Sequence, residues 1–150
     1  MDKKITTQQF TAWLICSIKK GAWAPIVAFS LNILCYLLNL YAIYPCIDIP
    51  GHFIGGMGIS YFYIQSISCA LKYKLIGRPS FFIILLLLFL LTCTTTVFWE
   101  LLEWGFDIIF YTHLQINLNE TMVDMLVGTI GGIVTIGIMM KVLKEKYLTE

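Results

Sequence analysis

Residues 80–99 read SFFIILLLLFLLTCTTTVFW, a run without a single charged side chain. A helix rises 1.5 Å per residue, so this run is about 30 Å long, the thickness of a bilayer's hydrocarbon core. Three further apolar stretches of similar length occur along the chain. The sequence therefore predicts an all-α membrane protein, a four-transmembrane-helix bundle in a single domain, with spans at about 22–44, 51–71, 80–105 and 122–142.

The composition supports this class. Hydrophobic residues make up 59% of the chain and charged residues only 13%, against roughly 25% charged residues in an average soluble domain. A soluble protein of 150 residues has too little interior to hide so much apolar surface. The lipid bilayer is therefore the expected partner. The net charge of +1 and the lack of a long basic run give no indication of nucleic-acid binding.

The basic residues predict the orientation of the spans. The connections at 45–50 and 112–121 contain no Lys or Arg. All ten basic residues fall in the other segments, at Lys3, Lys4, Lys19, Lys20, Lys72, Lys74, Arg78, Lys141, Lys144 and Lys146. By the positive-inside rule these segments, and with them both termini, lie in the cytoplasm.

The segment before the first span has amphipathic spacing, with apolar residues at Phe10, Trp13, Leu14 and Ile18. Thr6 and Gln9 are placed to form a capping box at its start. We interpret this segment as an interfacial amphipathic helix on the cytoplasmic leaflet. The alternative is an ordinary extension of the first span.

The third span is longer than a membrane requires. Apolar character continues from 80 to 111, which as one helix would measure about 48 Å. The helix must tilt, extend beyond the membrane, or bend, and a bend is expected at 92–96 or at Gly105. The five cysteines have no CxxC spacing, so we interpret them as small packing residues with no metal or redox role.

Several ionisable residues gather at the span ends opposite to the basic residues. Asp48 and His52 are separated by one helical turn at the start of the second span. Glu100, Glu103 and Asp107 are spaced i, i+3 and i+7, which confines them to a sector of about 60° on the third helix. A charge facing lipid at the membrane centre costs about 2.5–3.5 kcal/mol, so this face is expected to point into the protein. Asp124 at the start of the fourth span completes the candidate site.

Each of these residues also has a purely structural interpretation, which the sequence leaves open. Asp48 could cap the second span, Asp124 could form a capping box with Thr121, Asp107 could be a solvated charge, and His52 could be a packing histidine. His113 is not assigned to the site. Gly51 with Gly55, and Gly128 with Gly132, have the small-xxx-small spacing that lets two helices approach closely. We therefore expect the second and fourth spans to pack against each other.

These residues resemble a known bacterial pattern. Its elements are Asp48-x3-His52-x2-Gly55, Trp99-Glu100-x2-Glu103-x3-Asp107, Thr121-x2-Asp124 and Gly131-Gly132. Over about 45–135 the chain resembles the YjdF-like inner-membrane proteins and, more distantly, the VanZ-like proteins, although Glu120 stands where an Asp is expected. The resemblance implies a multi-pass protein of the bacterial inner (plasma) membrane. It implies no activity, since the YjdF-like family has none established; VanZ-like members are associated with low-level glycopeptide resistance.

Three functions are compatible with these residues. The first is a structural or partner-binding membrane component, in which the polar cluster organises the bundle. The second is a metal-dependent enzyme acting on a lipid or lipid-linked substrate at the outer leaflet. The third is a small proton- or ion-coupled transporter, for which four spans would require an oligomer.

The enzyme hypothesis names candidate catalytic residues, a metal cofactor and candidate metal ligands. The candidate catalytic residues are Glu100, Glu103, His52 and Asp48. A divalent metal ion such as Mg²⁺, Mn²⁺ or Zn²⁺ is the hypothetical cofactor, because carboxylate and imidazole groups are its usual ligands. The candidate metal ligands are His52, Glu100, Glu103, Asp107 and Asp124.

Overall fold

The computed structural model describes residues 5–112, 114–115 and 117–149, and the secondary structure in this part of the chain is helical. Lys3, Lys4 and His113, which entered the predictions above, lie outside the described residues, as does the side chain of Lys146. The helices are α1 (Thr7–Gly21), α2 (Trp23–Leu37), α3 (Leu40–Ile43), α4 (Asp48–Lys72), α5 (Phe81–Phe110) and α6 (Leu118–Thr149), with a 3₁₀ turn at Pro45–Ile47.

Helix α4 lies at the centre of the bundle and packs against α1, α2, α5 and α6. Its buried residues are mostly small or polar, among them Gly56, Gly58, Ser60 and Gln65. Such residues suit a helix that is surrounded by protein, because its neighbours rather than lipid cover its surface. An apolar core of Ile64, Ile67, Ile84, Leu88, Ile136 and Leu143 closes the end of the bundle where α4 finishes.

Length and apolar character support two or three membrane spans within the described residues. Helices α5 and α6 each qualify alone. Helices α1 and α2, which meet at a bend of 51°, qualify together if they form one broken span. The described part of the chain is thus all-helical, as the fold class predicted, with two or three candidate membrane spans. The criteria of length and apolar character support two or three spans, and not the four separate spans of the prediction.

The first predicted span, 22–44, is not one helix. Helix α2 ends at Leu37, and Asn39 adopts left-handed backbone angles with φ of 56°. An Asn tolerates this conformation better than most residues, and a left-handed residue interrupts a right-handed helix. The short α3 and the 3₁₀ turn then carry the chain to the start of α4. The end of α2 differs from the end of the predicted span because a single left-handed residue leaves no trace in apolar composition.

The N-terminal helix begins as predicted, with a capping box between Thr6 and Gln9. It then packs along the final turns of α4 instead of standing alone. The indole Nε1 of Trp13 donates to the carbonyl oxygen of Ser66 at 3.0 Å, and Gln9 Nε2 donates to that of Tyr73 at 3.3 Å. These contacts fix α1 against the end of α4 that carries the basic residues.

A disulfide joins Cys16 of α1 to Cys69 of α4, across 53 residues of sequence. The interpretation of all cysteines as unpaired packing residues was therefore wrong for these two. Sequence spacing could not reveal the pair, because only the packing of α1 on α4 brings the two Cα atoms to 6.1 Å. Cys35, Cys46 and Cys93 are free thiols.

The third predicted span is continuous. Helix α5 extends over 30 residues, about 45 Å, without a break at 92–96 or at Gly105. In its middle, Thr92 and Ser60 of α4 share a buried hydrogen bond of 2.6 Å. This bond joins α5 to α4 halfway between the apolar core and the cluster of acidic residues.

Close packing of α4 against α6 is confirmed. On α6 the predicted Gly128 and Gly132 take part, but on α4 the contact is made by Gly56 and not by Gly51 or Gly55. A Cβ atom on Gly56 would collide with the carbonyl oxygen of Gly128, and one on Gly131 with that of Phe53. By contrast, nothing lies within 4 Å of a Cβ built on Gly55. The missing side chains bring the two backbones together within one turn of His52 on α4 and one to two turns past Asp124 on α6.

Candidate functional site

The site begins at the first residues of α4. Asp48 is the first residue of this helix, whose N-cap is Ile47 and has no side-chain capping bond. The interpretation of Asp48 as an N-cap was therefore wrong, because the preceding 3₁₀ turn already leads into the helix. One turn later, His52 places its Nε2 atom 3.4 Å from Oδ1 of Asp48. The i, i+4 spacing read from the sequence thus brings the two groups together.

The second nitrogen of His52 faces helix α5. His52 Nδ1 lies 3.5 Å from Oε1 of Glu100. Glu100 is only 5% exposed, whereas its neighbours Leu101 and Leu102 are 53% and 49% exposed. The helix therefore turns its acid inward and its apolar residues outward, as the cost of exposing charge to lipid requires.

Glu100 has one oxygen without a hydrogen bond. Among the described residues, no donor reaches the buried Oε1 atom with hydrogen-bond geometry. Leaving a buried acceptor unsatisfied costs about 1–3 kcal/mol, and more for a charged group. Such an atom in a cluster of carboxylates and imidazole makes Glu100 a candidate ligand.

Glu103 lies one turn further along α5 and is held by Trp99, whose Nε1 donates to Glu103 Oε1 at 2.6 Å. The Trp99 ring meets Phe29 of α2 edge to face, with the ring centroids 5.8 Å apart. The indole is therefore fixed on one side by packing and on the other by the carboxylate. Sequence reasoning named Trp99 only as part of the family pattern and gave it no role, although its i, i+4 spacing to Glu103 was a usable signal.

Asp124 lies on α6 and is 4% exposed. The helix starts earlier than the predicted span, at Leu118, and Asn117 Oδ1 accepts a hydrogen bond from the backbone nitrogen of Glu120 at 3.1 Å. Asp124 is thus well inside the helix, and its interpretation as part of a capping box was wrong. Its carboxylate instead faces α4.

Two groups of three side chains come close enough to hold a metal ion. One contains Asp48, His52 and Asp124, and the other contains His52, Glu100 and Glu103. In each group the potential ligand atoms lie within 4.8 Å of one another. His52 belongs to both groups. We call these five residues the carboxylate–histidine cluster.

Asp107 has a different environment from the one its spacing predicted. Its Oδ1 accepts hydrogen bonds from Thr112 Oγ1 at 2.6 Å and from the Leu114 backbone nitrogen at 2.7 Å. Its Oδ2 accepts from the Gln115 backbone nitrogen at 2.8 Å. Asp107 belongs to neither group of potential ligands among the described residues. Its carboxylate instead holds the α5–α6 loop (111–117).

Gln115 connects this loop to the cluster, and sequence reasoning missed it. Gln115 Nε2 donates to the backbone carbonyl oxygen of Glu100 at 2.9 Å and to Glu100 Oε2 at 3.2 Å. A glutamine in a connection carries no periodic signal, because its position depends on the path of the loop. Only the folded loop reveals that it contacts the site.

The charge of the cluster is unbalanced. Four carboxyl groups surround one imidazole, and the connections at this end of the helices contain no Lys or Arg. Carboxylates this close to one another cannot all be ionised without a compensating positive charge. Protons, a protonated His52 or a bound cation can supply it.

An apolar groove of about 380 Å³ lies beside the cluster, between α4 and α6. Its lining consists of Ile49, Pro50, Phe53, Val127 and Ile130. Ile49 follows Asp48 directly, and Phe53 follows His52. The groove is therefore at the same level of the bundle as the charged side chains.

Comparison with known proteins identifies the family. The model of a family described as predicted membrane protein (DUF2238) matches residues 10–145. The YjdF-like resemblance fits this family, whereas the VanZ-like resemblance is not shown. Neither a curated protein nor a solved structure matches the chain.

Proposed function

The chain belongs to the DUF2238 family of predicted membrane proteins. We propose that it is a metal-dependent enzyme acting on a lipid or lipid-linked substrate, and that its carboxylate–histidine cluster holds the divalent cation. The observation that carries this proposal is Glu100 Oε1, a buried carboxylate oxygen without a hydrogen bond, 3.5 Å from His52 Nδ1. A cation between Glu100, His52 and Glu103 would satisfy this atom.

The dimensions of the cluster suit a single ion. Bonds from Mg²⁺, Mn²⁺, Zn²⁺ or Ca²⁺ to oxygen or nitrogen are about 2.0–2.6 Å long, so two ligands on opposite sides of an ion lie about 4–5 Å apart. The ligand atoms of His52, Glu100 and Glu103 lie within 4.8 Å of one another. A divalent ion also offsets two carboxylates, which a protonated His52 alone cannot do.

The surroundings of the cluster favour a lipid as the substrate. The apolar groove lined by Ile49, Phe53 and Val127 lies at the level of Asp48 and His52, so an acyl or isoprenoid chain in it would keep its head group near the level of the cation. The same connections lack Lys and Arg. A bound cation would therefore take over the recognition of an anionic head group.

We place this site at the outer surface of a bacterial inner membrane, with both termini in the cytoplasm and α4 as a fourth, central span. From Phe81 to Glu100, α5 rises about 29 Å, close to the thickness of the hydrocarbon core. Lys72 then lies at the inner surface, and the basic residues support this side as cytoplasmic. Lys19 and Lys20 end α1 nearer to the site than Lys72, because the adjacent Gly21 packs against Phe62 and Gln65 of α4.

A non-catalytic structural role is the competing function. It is favoured by the two contacts of His52, which link Asp48 of α4 to Glu100 of α5. A protonated His52 could tie these helices together without an ion. A transport role receives less support, because Ile64, Leu88 and Ile136 fill the bundle on the opposite side of the Ser60–Thr92 hydrogen bond.

The metal content and lipid turnover of the purified protein distinguish these functions. After incubation with Mn²⁺ and removal of free ion, we expect about one bound Mn²⁺ per chain, lost in Glu100→Gln and kept in the control Glu145→Gln. Vesicles of phosphatidylethanolamine and phosphatidylglycerol should then show a Mn²⁺-dependent change in lipid composition by mass spectrometry. Absence of bound metal, together with a lower unfolding temperature in Glu100→Gln, would favour the structural role.

A further inference from the structure

We infer that Asp107 and Gln115 are positioning residues for the cation site: Asp107 fixes the α5–α6 loop, and Gln115 in that loop holds Glu100 with Oε1 facing His52. This inference rests on the proposed function. It gives a role to Asp107, which the sequence suggested as a metal ligand, and to Gln115, which the sequence did not single out.

The loop folds back over the end of α5. Tyr111 terminates the helix in a left-handed conformation with φ of 55°, and its backbone nitrogen donates to the carbonyl oxygen of Asp107 at 3.0 Å. A residue in this conformation ends a helix and reverses the direction of the chain. The following residues therefore return towards the carboxylate–histidine cluster.

Asp107 fixes the returning chain with both carboxylate oxygens. Oδ1 accepts from Thr112 Oγ1 and from the Leu114 backbone nitrogen, and Oδ2 accepts from the Gln115 backbone nitrogen at 2.8 Å. Hydrogen bonds to an ionised carboxylate are shorter and stronger than those between neutral groups. Several such bonds to one side chain hold the backbone of Gln115 in a single position.

Gln115 transmits this position to Glu100. Its amide nitrogen donates both to the backbone oxygen of Glu100 and to Oε2, at 2.9 and 3.2 Å. Because Oε2 is engaged by Gln115, Oε1 is the oxygen left for a ligand, and it lies on the side of His52 Nδ1. The amide thus selects which oxygen of Glu100 faces the proposed ion.

Residues that hydrogen-bond to a metal ligand orient that ligand, and their loss typically weakens metal affinity 10- to 100-fold. Glu100 has a flexible side chain that would otherwise sample several rotamers. Removing the Gln115 amide is expected to let the Glu100 side chain sample these rotamers, although every proposed metal ligand is still present. Asp107 acts further away, through the loop, so its effect depends on the presence of Gln115.

The test measures the dissociation constant of Mn²⁺ for the detergent-purified full chain by isothermal titration calorimetry. We expect Gln115→Ala and Asp107→Asn each to raise the dissociation constant 10- to 100-fold. We expect the double variant to equal Gln115→Ala alone, because Asp107 acts through Gln115. Asn119→Ala, at an exposed position in the first turn of α6, is the matched control and should bind Mn²⁺ like the natural protein.

The unfolding temperature of the metal-free protein separates positioning from folding. Gln115→Ala should leave it within a few degrees of the natural protein, so this variant carries the test even if Asp107→Asn fails to fold. A natural protein that binds no Mn²⁺ would overturn the proposed function. Natural binding with a less than twofold change in Gln115→Ala, or independent, multiplying effects in the double variant, would overturn this inference alone.

Discussion

His52 Nδ1 on α4 lies 3.5 Å from Glu100 Oε1 on α5, although the two residues are 48 positions apart in the sequence. The other nitrogen of the same ring faces Asp48 at 3.4 Å. His52 is therefore the shared member of both groups of potential metal ligands. In this position a single imidazole connects carboxylates from different helices at one end of an otherwise apolar bundle.

Replacing Trp99 by Phe is expected to weaken cation binding while leaving the packing of the ring intact. The substitution removes the indole N–H that Glu103 Oε1 accepts at 2.6 Å, and it retains an aromatic ring against Phe29. Loss of such an orienting bond should raise the Mn²⁺ dissociation constant about tenfold or more. Titration calorimetry checks this. Trp104→Phe, at a position 56% exposed, is the control, and equal effects of both substitutions would contradict a specific role for Trp99.

Gly56→Ala should destabilise the bundle. The added methyl group would overlap the carbonyl oxygen of Gly128, so α4 and α6 would have to separate. Overpacking of this kind costs about 1–3 kcal/mol. Unfolding in a denaturing detergent measures the loss. Gly55→Ala is a matched control one residue away with nothing within 4 Å, and it should be neutral or slightly stabilising. If Gly55→Ala were the more damaging change, the helix contact would be misassigned.

The Cys16–Cys69 bridge predicts a specific cross-linked peptide in the air-oxidised protein. Mass spectrometry of an unreduced digest should find these two cysteines joined. Its reduction should lower the free energy of unfolding by about 2–4 kcal/mol, because the bridge restricts the unfolded chain. Cys35→Ser, which removes a free thiol, should change neither result. A bridge that involves Cys35 or Cys46 instead would contradict the packing of α1 on α4.

The same pair tests the proposed orientation. It lies at the end of the bundle that carries Lys72, which we place at the cytoplasmic surface, where thiols are kept reduced. Alkylation in denaturant of acid-quenched cells should therefore modify both Cys16 and Cys69. Finding the two cysteines already bridged in such cells would place this end of the bundle outside the cytoplasm.

Much of the helical architecture was predictable from apolar periodicity, but helix ends were not. The long run at 80–99 gave α5, and the glycines indicated the contact of α4 with α6. The end of α2 depended on the left-handed angles of Asn39, and the start of α6 on a hydrogen bond accepted by Asn117. The end or start of a helix thus depends on one or two residues, whereas a hydrophobic pattern is read over many more.

The candidate site was also predictable only in part. Helical spacing put Asp48 with His52 and Glu100 with Glu103, because one face of a helix can be read from i, i+3 and i+4 positions. The contact of Gln115 with Glu100, and the loop held by Asp107, depend on how the chain returns after Tyr111. The path of a connection is determined by tertiary contacts that no local pattern records, so these two roles emerged only from the structure.

The measurement that tests the cation site most directly is electron spin-echo spectroscopy of the Mn²⁺-loaded protein, which detects a nitrogen atom bound to the ion. The chain has two histidines, so the assignment is simple. We predict a directly bound imidazole nitrogen that disappears in His52→Ala and persists in His113→Ala. A spectrum with oxygen ligands alone, or a nitrogen signal that survives His52→Ala, would contradict a cation held by His52, Glu100 and Glu103.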